Sequence, residues 1–305
     1  MRILVVGAGA VGGYFGGRLL EAKRDVTFLV RPKRASELAA VGLRLCSPHG
    51  DIQLSNPRIT QAENLAEPFD LVLLSCKAYD LLGAIVALTP AVGPGTTVLP
   101  LLNGMRHMDV LRARFGSAVI GGRCLITATL NDRRDVVHFA PIHTLTFGEL
   151  DGTMSERVKN IGHEFAGAQF DAQSSTQILL DMWEKWVFIA ALAGSTCLMR
   201  GSVGDICSVA GGREFVLGLL AECCAIATAN GFEPRAAAVE RSRGMLTTTA
   251  SPLTASMLRD LESQGPTEAD HIIGDLLSRA SGDYPLLRTA HLHLKTYEAR
   301  LPPKP

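Results

Sequence analysis

The chain opens Met1-Arg-Ile-Leu-Val-Val6, turns through Gly7-Ala8-Gly9-Ala10-Val11-Gly12 and continues Gly13-Tyr-Phe-Gly-Gly-Arg-Leu-Leu20. A short β-branched run that feeds a GxGxxG turn and then a helical pattern constrains the fold more than any other stretch. Each glycine has a physical task. Gly7 permits the tight turn, Gly9 lets backbone approach a pyrophosphate, and Gly12 lets helix and strand pack closely. The helix that follows points unpaired N–H groups and its positive dipole end at the phosphates. Strand, turn and helix together predict a Rossmann-type dinucleotide site built from Gly7, Ala8, Gly9, Ala10, Val11 and Gly12.

The second strand selects the dinucleotide. Asp25-Val-Thr-Phe-Leu-Val30 reads as that strand, and a site for NAD places an acid at its far end to hold the ribose hydroxyls. Here the acid, Asp25, lies at the near end, and the far end reads Arg31-Pro32-Lys33-Arg34. A basic cluster there pairs with a 2′-phosphate, so NADP is expected, with Arg31 foremost. A solvated basic loop would show the same charges.

Lysines and arginines (30) balance aspartates and glutamates (30). Nothing in that balance suggests a nucleic-acid partner or attraction to an anionic membrane. No apolar stretch is long enough to span a bilayer, and no signal segment precedes the first strand, so a cytoplasmic protein is expected. The 7 cysteines are scattered apart from the adjacent Cys223-Cys224, a spacing that suits neither a zinc knuckle nor a normal disulfide. They read as reduced core thiols, and no metal is expected.

The two halves of the chain differ in texture. Up to about Gln173, strand-like runs alternate with helical ones: Phe69–Ser75, Thr96–Leu102 and Ala118–Ile120, then Val136–Phe139 and Thr144–Phe147 as later strands that an antiparallel pairing would suit. Such alternation predicts an α/β domain with a parallel sheet. From Thr176 the pattern is helical: Ile178–Leu192, Arg213–Asn230 stopped by Gly231, a helix opened by Ser251-Pro252, one from Thr267 to about Gly282, and Ala290–Ala299. The expected organisation is a Rossmann domain over 1–173 and an all-helical substrate and catalytic domain over 174–305.

Ligands of such sheets bind beyond the carboxyl ends of the strands, where strand order reverses. Lys77 follows the Phe69–Ser75 strand and Asn103-Gly104-Met105 follows Thr96–Leu102. Both suit a cofactor rim, and both also suit ordinary loop and turn positions.

These residues resemble a known family. The chain is similar from end to end to the ketopantoate reductases (2-dehydropantoate 2-reductases). The resemblance rests on Gly7–Gly12, Arg31, Lys77 in Ser-Cys-Lys-Ala, Asn103 in Leu-Asn-Gly-Met, His138 with Gly148, Lys185 in Trp183-Glu-Lys-Trp186, Ser256-Met-Leu-Arg-Asp260 and Thr267-Glu268. It implies reduction of a 2-oxo acid to a 2-hydroxy acid with NADPH, on the route to pantothenate. Lys185 would be the general acid. Glu268 would bond the nascent hydroxyl and orient Lys185, and Asn103 and Ser256 would hold substrate.

Chemistry bears on these positions independently. Hydride delivery to a ketone builds negative charge on its oxygen, which calls for a proton donor within reach. Lys185, among Trp183, Trp186, Val187 and Phe188, must either extend to solvent or face a cleft. Glu268, just after Thr267 at a helix start, would also be favoured there by the helix dipole alone.

The chain departs from the family at the substrate face. Where the family carries asparagines one and two turns beyond its lysine, this chain has Ile189 and Ala193, at i+4 and i+8 from Lys185 on one helix face. A third family asparagine falls on Val203. Each lost hydrogen bond is worth about 0.5–1.5 kcal/mol. The readings are therefore 2-dehydropantoate reduction proper, and a relative reducing a more apolar 2-oxo acid. Ranked below them are a non-catalytic NADP-binding regulator, which would need neither Lys185 nor Glu268, and a hydroxyacid or polyol-phosphate dehydrogenase, which would not explain the Asn-Gly-Met and Thr-Glu segments. The apolar second-half helices are compatible with a homodimer.

Overall fold

The computed structural model describes residues 1–302, so the last three positions of the expected second domain lie outside the described residues. In chain order the first part runs β1 (Arg2–Val6), α1 (Ala10–Glu21), β2 (Asp25–Leu29), α2 (Pro32–Val41), β3 (Leu43–Cys46), β4 (Ile52–Leu54), β5 (Ile59–Thr60), β6 (Leu71–Leu74) and α3 (Leu81–Leu88). It continues with β7 (Thr97–Pro100), α4 (Arg106–Phe115), β8 (Gly121–Leu130), β9 (Val136–Gly148), α5 (Glu156–Phe165) and β10 (Asp171–Ser174). The helical part comprises α6 (Ile178–Met199), α7 (Val203–Cys207), α8 (Gly212–Ala229), α9 (Ala236–Leu246), α10 (Ser256–Glu262), α11 (Asp275–Ser278) and α12 (Pro285–Ala299).

These elements form two compact units. One holds Met1–Leu102 and His107–Ile178, and the other holds Leu179 onward together with the tetrapeptide Asn103–Arg106.

In the first unit a parallel sheet has the order β5-β2-β1-β6-β7. All five are short, and the central β1 and β6 are buried along almost their whole length, as parallel strands covered on both faces must be. Strand order reverses between β1 and β6, the place where open α/β sheets take ligands. A second sheet has the order β10-β9-β3-β4, with β8 on β9. The expected α/β class stands.

Several local expectations change. Ala118–Ile120 is not a strand but the end of a 3₁₀ turn, with Val119 making one parallel bridge to Val98. Val136–Phe139 and Thr144–Phe147 are two ends of one strand, antiparallel to β8 and interrupted by a bulge. Ser251-Pro252 opens no helix: the Ser251 and Leu253 carbonyls accept from Gly204 and Val203 N–H at the start of α7, so that backbone is committed elsewhere. The helix begins instead at Ser256.

In the helical unit, α6 buries Trp183, Trp186 and Ala190, and Trp183 stacks on Phe232 at 5.2 Å between ring centroids. Arg235 holds two buried acids of α6: its Nε donates to Glu184 at 2.7 Å, and it also pairs with Asp181. Among the described residues no disulfide joins the cysteines, and burial pushes the Cys197 thiol up to about 12, so it stays an inert core thiol. Among the described residues no helix is long and apolar enough to cross a membrane.

Candidate active site

The dinucleotide half lies in the first unit. Gly7 has φ +94°, and a Cβ on Gly12 would lie 2.2 Å from the Gly7 carbonyl oxygen and 2.1 Å from Ser75 Oγ. Glycine at position 12 is thus required by the approach of α1 to the ends of β1 and β6. Ser75 Oγ donates to the Val6 carbonyl at 2.9 Å and ties the two strand ends together. A Cβ on Gly9 would meet nothing within 4 Å. That bare backbone at the start of α1 fits a pyrophosphate. Ala10 and Val11 are half-buried beside it, while Ala8 is buried. Lys77 stands just beyond β6, half-buried, at the start of a 3₁₀ turn over Ala78–Asp80.

The basic cluster after β2 divides by role. Arg31 is exposed and pairs with Asp80 at 2.6 Å. Arg34 is held inward: its Nε donates to the Ala8 carbonyl at 3.1 Å, and it pairs with Glu37 at 3.0 Å. Arg34 therefore braces the glycine turn, while Arg31 keeps its guanidinium at the surface beside Asp80.

The remaining expected site residues lie in the helical unit, and Asn103 belongs to that unit. The helix expected from Thr267 begins as a wide π turn over Asp270–Gly274 before α11. Such turns are rare and concentrate at functional sites. The Glu268 carbonyl accepts from His271 N–H at 3.0 Å and Ile272 N–H at 2.9 Å. Thr267 Oγ1 donates to the Glu298 carboxylate, and Asp270 pairs with Lys295 at 2.6 Å, so α12 holds the turn from outside. Burial would raise the Asp270 carboxyl, but hydrogen bonds from Lys295 and His291 hold it below its ordinary value.

Three expected residues converge on this turn. Trp186, next to Lys185 on α6, donates from Nε1 to the Ile272 carbonyl at 2.8 Å. The buried His271 ring donates to the Asn103 backbone carbonyl, and burial pushes its pKa down despite the nearby Glu268 and Asp275 charges. Gly104, at φ +77°, lies so close that a Cβ would stand 2.8 Å from the His271 carbonyl oxygen. Glu268 and Asn103 are thus tied to this turn through Ile272 and His271, and the α6 segment that carries Lys185 is tied to it through Trp186.

Sequence reasoning did not single out His271. The only cue was its place three residues after Glu268, and the π turn that aims its ring depends on packing. Ser256, by contrast, is exposed at the start of α10, and the described contacts do not tie it to this group. Ile189 is half-buried one turn beyond Lys185, whereas Ala193 is 3% exposed and Val203 fully buried.

The sequence profile of the ketopantoate reductase PanE/ApbA family matches residues 3–152, and that of the PanE/ApbA C-terminal domain matches residues 177–298. An uncharacterized oxidoreductase of Bacillus subtilis, YkpB, is 37% identical over 303 residues, covering 98% of this chain and 99% of that protein. The crystal structure of 2-dehydropantoate 2-reductase from Geobacter metallireducens superposes with a TM-score of 0.89 at 26% identity, over 97% of this chain and 99% of the other. A D-mandelate dehydrogenase structure with NADH and anilino(oxo)acetate shares the fold, with a TM-score of 0.88 at 19% identity over 99% of both chains. With a glycine turn fitted to a pyrophosphate and a lysine, an acid and an asparagine gathered in the helical unit, the chain belongs to the ketopantoate reductase family of NAD(P)-dependent oxidoreductases that act on 2-oxo acids.

Proposed function

We propose that the protein reduces a 2-oxo acid to the 2-hydroxy acid with NADPH, the first unit binding the cofactor and the helical unit holding the substrate. The observation that carries this reading is the tie of Asn103, Glu268 and the Lys185 segment to one π turn. NADPH supplies the hydride when bound. The Lys185 ammonium gives a proton to the oxygen as charge develops there, which closes the balance: one carbonyl π bond is lost, and one C–H and one O–H bond form. Glu268 accepts a hydrogen bond from the new hydroxyl and keeps Lys185 turned toward it. The Asn103 amide and the Ser256 hydroxyl bond the substrate's polar groups.

The substrate to which the relatives' names point is 2-dehydropantoate, which would place the enzyme in pantothenate synthesis. Ile189 favours a second reading, a 2-oxo acid with a larger apolar side chain. Each methylene buried against it contributes about 0.8 kcal/mol, while a substrate hydroxyl left unpaired there costs about 1–3 kcal/mol.

Initial rates of NADPH oxidation with 2-dehydropantoate and with branched and aromatic 2-oxo acids test both. High kcat/KM for 2-dehydropantoate establishes the first. Preference for an apolar acid, reversed toward 2-dehydropantoate by Ile189→Asn with Ala193→Asn, establishes the second. No turnover of any 2-oxo acid overturns both.

A further inference from the structure

Within the first unit three histidines meet. His138 and His143 lie on β9, and His49 lies on the turn between β3 and β4. Residues five apart on a regular strand face opposite sides of the sheet. Here the bulge changes the count: His143 pairs with Ile126 and His138 with Ala128, so four residues of β9 stand against the single Thr127 of β8. Ile126 and Ala128 share a face, and their partners therefore share it too. The β3–β4 turn brings His49 onto that face, where its ring stacks on His143 with centroids 3.7 Å apart.

The nitrogens are ordered as well as close. His138 Nδ1 is 3.0 Å from Ser47 Oγ, and His143 Nδ1 is 2.7 Å from the Tyr14 hydroxyl. The Nε2 atoms of His138 and His49 point at adjacent carbonyls, Ile142 at 3.1 Å and Pro141 at 2.7 Å. One ligand atom from each of the three rings lies within 4.8 Å of the others. His138 and His143 are buried, and burial first, then the proximity of His49 and of Arg18, holds both below the ordinary imidazole pKa, His138 adding to the effect on His143. Neutral imidazole is the form that binds a metal.

We propose that His49, His138 and His143 form a three-imidazole site for a divalent transition-metal ion, of which Zn²⁺ is the expected occupant. Three nitrogens with an open fourth position suit zinc, and imidazole is among its preferred ligands. On binding, the Nε2 atoms of His138 and His49 leave the Ile142 and Pro141 carbonyls and the rings take the tautomer protonated at Nδ1, so that the Nε2 atoms take the metal while His138 Nδ1–H and His143 Nδ1–H donate to Ser47 Oγ and the Tyr14 hydroxyl. These are the outer partners that fix ring orientation at metal sites.

Bonds of about 2.0–2.1 Å in a tetrahedron separate nitrogens by roughly 3.4 Å. All three rings lie nearly parallel, with 15° between His138 and His143 as well as between His49 and His143. Parallel stacked rings cannot reach one ion in their own planes, so binding turns the half-buried His49 out of its stack and also tilts one of the two β9 rings from the other. Arg18, whose charge Glu21 offsets at 3.0 Å, is the cation nearby that opposes metal entry. The ion would clamp the β3–β4 turn to the bulge and takes no part in the reduction. The site does not rest on the substrate reading above.

Untagged protein freed of metal with a chelator is titrated with Zn²⁺ by calorimetry, and its thermal midpoint is followed in parallel. One equivalent is expected to bind, with a rise in Tm that grows with free Zn²⁺. His49→Ala and His143→Ala should each weaken binding more than tenfold. His163→Ala, at an exposed position of the same unit, should leave it unchanged. Should His143→Ala fail to fold, His49→Ala decides the matter. Co²⁺ in place of Zn²⁺ should show intense visible bands of a low-coordinate nitrogen site, without the strong ultraviolet charge-transfer band of thiolate ligands. Absence of binding, binding that survives His49→Ala, or a thiolate signature from the cysteines overturns the proposal.

Discussion

The His271 imidazole donates to the Asn103 backbone carbonyl, while Gly104 lies against the backbone of His271 itself. The Asn103 turn is therefore held in the helical unit by the same wide turn that follows Glu268. Substituting His271→Phe keeps a ring of similar size and deletes a bond worth about 0.5–1.5 kcal/mol. KM for the 2-oxo acid should rise several-fold, with partial recovery in His271→Asn, which restores a donor. Steady-state kinetics that match the unaltered protein would show that the bond positions nothing.

Burial pushes the His271 pKa down. As pH falls below about 6.5, the unfolded chain takes up this proton before the folded one does. The group's contribution to stability is thus full above that pH and is lost as pH falls through the lowered folded value. Thermal melts across this range should show a steeper loss of Tm toward acid in the unaltered protein than in His271→Asn. Parallel pH profiles would remove His271 as their source.

Asp80 pairs with exposed Arg31, and such a surface pair is worth about 0–1 kcal/mol. A 2′-phosphate would take the guanidinium from it through bidentate bonds. Arg31→Ala is expected to weaken NADPH binding far more than NADH, and Asp80→Asn to strengthen NADPH relative to NADH. Fluorescence titration with both cofactors measures each ratio, and equal affinities in the unaltered protein contradict the assignment.

Lys185→Ala should lower turnover by about 10²–10⁴-fold, as expected for a lost general acid, with NADPH affinity retained. A fall of only a few-fold would mean that the lysine serves the surface of α6 alone.

Gly12→Ala would push a methyl against the Gly7 carbonyl and Ser75 Oγ. Overpacking of this kind costs about 1–3 kcal/mol, and here the obstacle includes backbone. Reduced stability and lost cofactor binding are expected, with no rescue by Ser75→Ala because the Gly7 carbonyl remains. Denaturant unfolding and cofactor titration follow the two effects.

The opening strand, glycine turn and helix were legible because their determinants are local. Chirality keeps L-residues from the φ of +94° at position 7 and so calls for glycine there, and apolar period distinguishes Arg2–Val6 from Ala10–Glu21. The row Lys185, Ile189 and Ala193 followed from helical repeat in the same way. The sequence pattern did not reveal how far inside that row runs: Ala193 is buried, and Val203 sits wholly in the core.

Other features belong to long-range pairing. The bulge that turns His138 and His143 to one face exists only in register with β8, and the stretch after Ser251 stays extended because α7 claims its carbonyls. His271 points at Asn103 because a π turn, anchored by Trp186 and α12, rotates it there. Residue type and spacing set φ, period and face within an element. Which face meets which partner is set by contacts between segments distant in the chain, and those contacts carry no local periodicity to read.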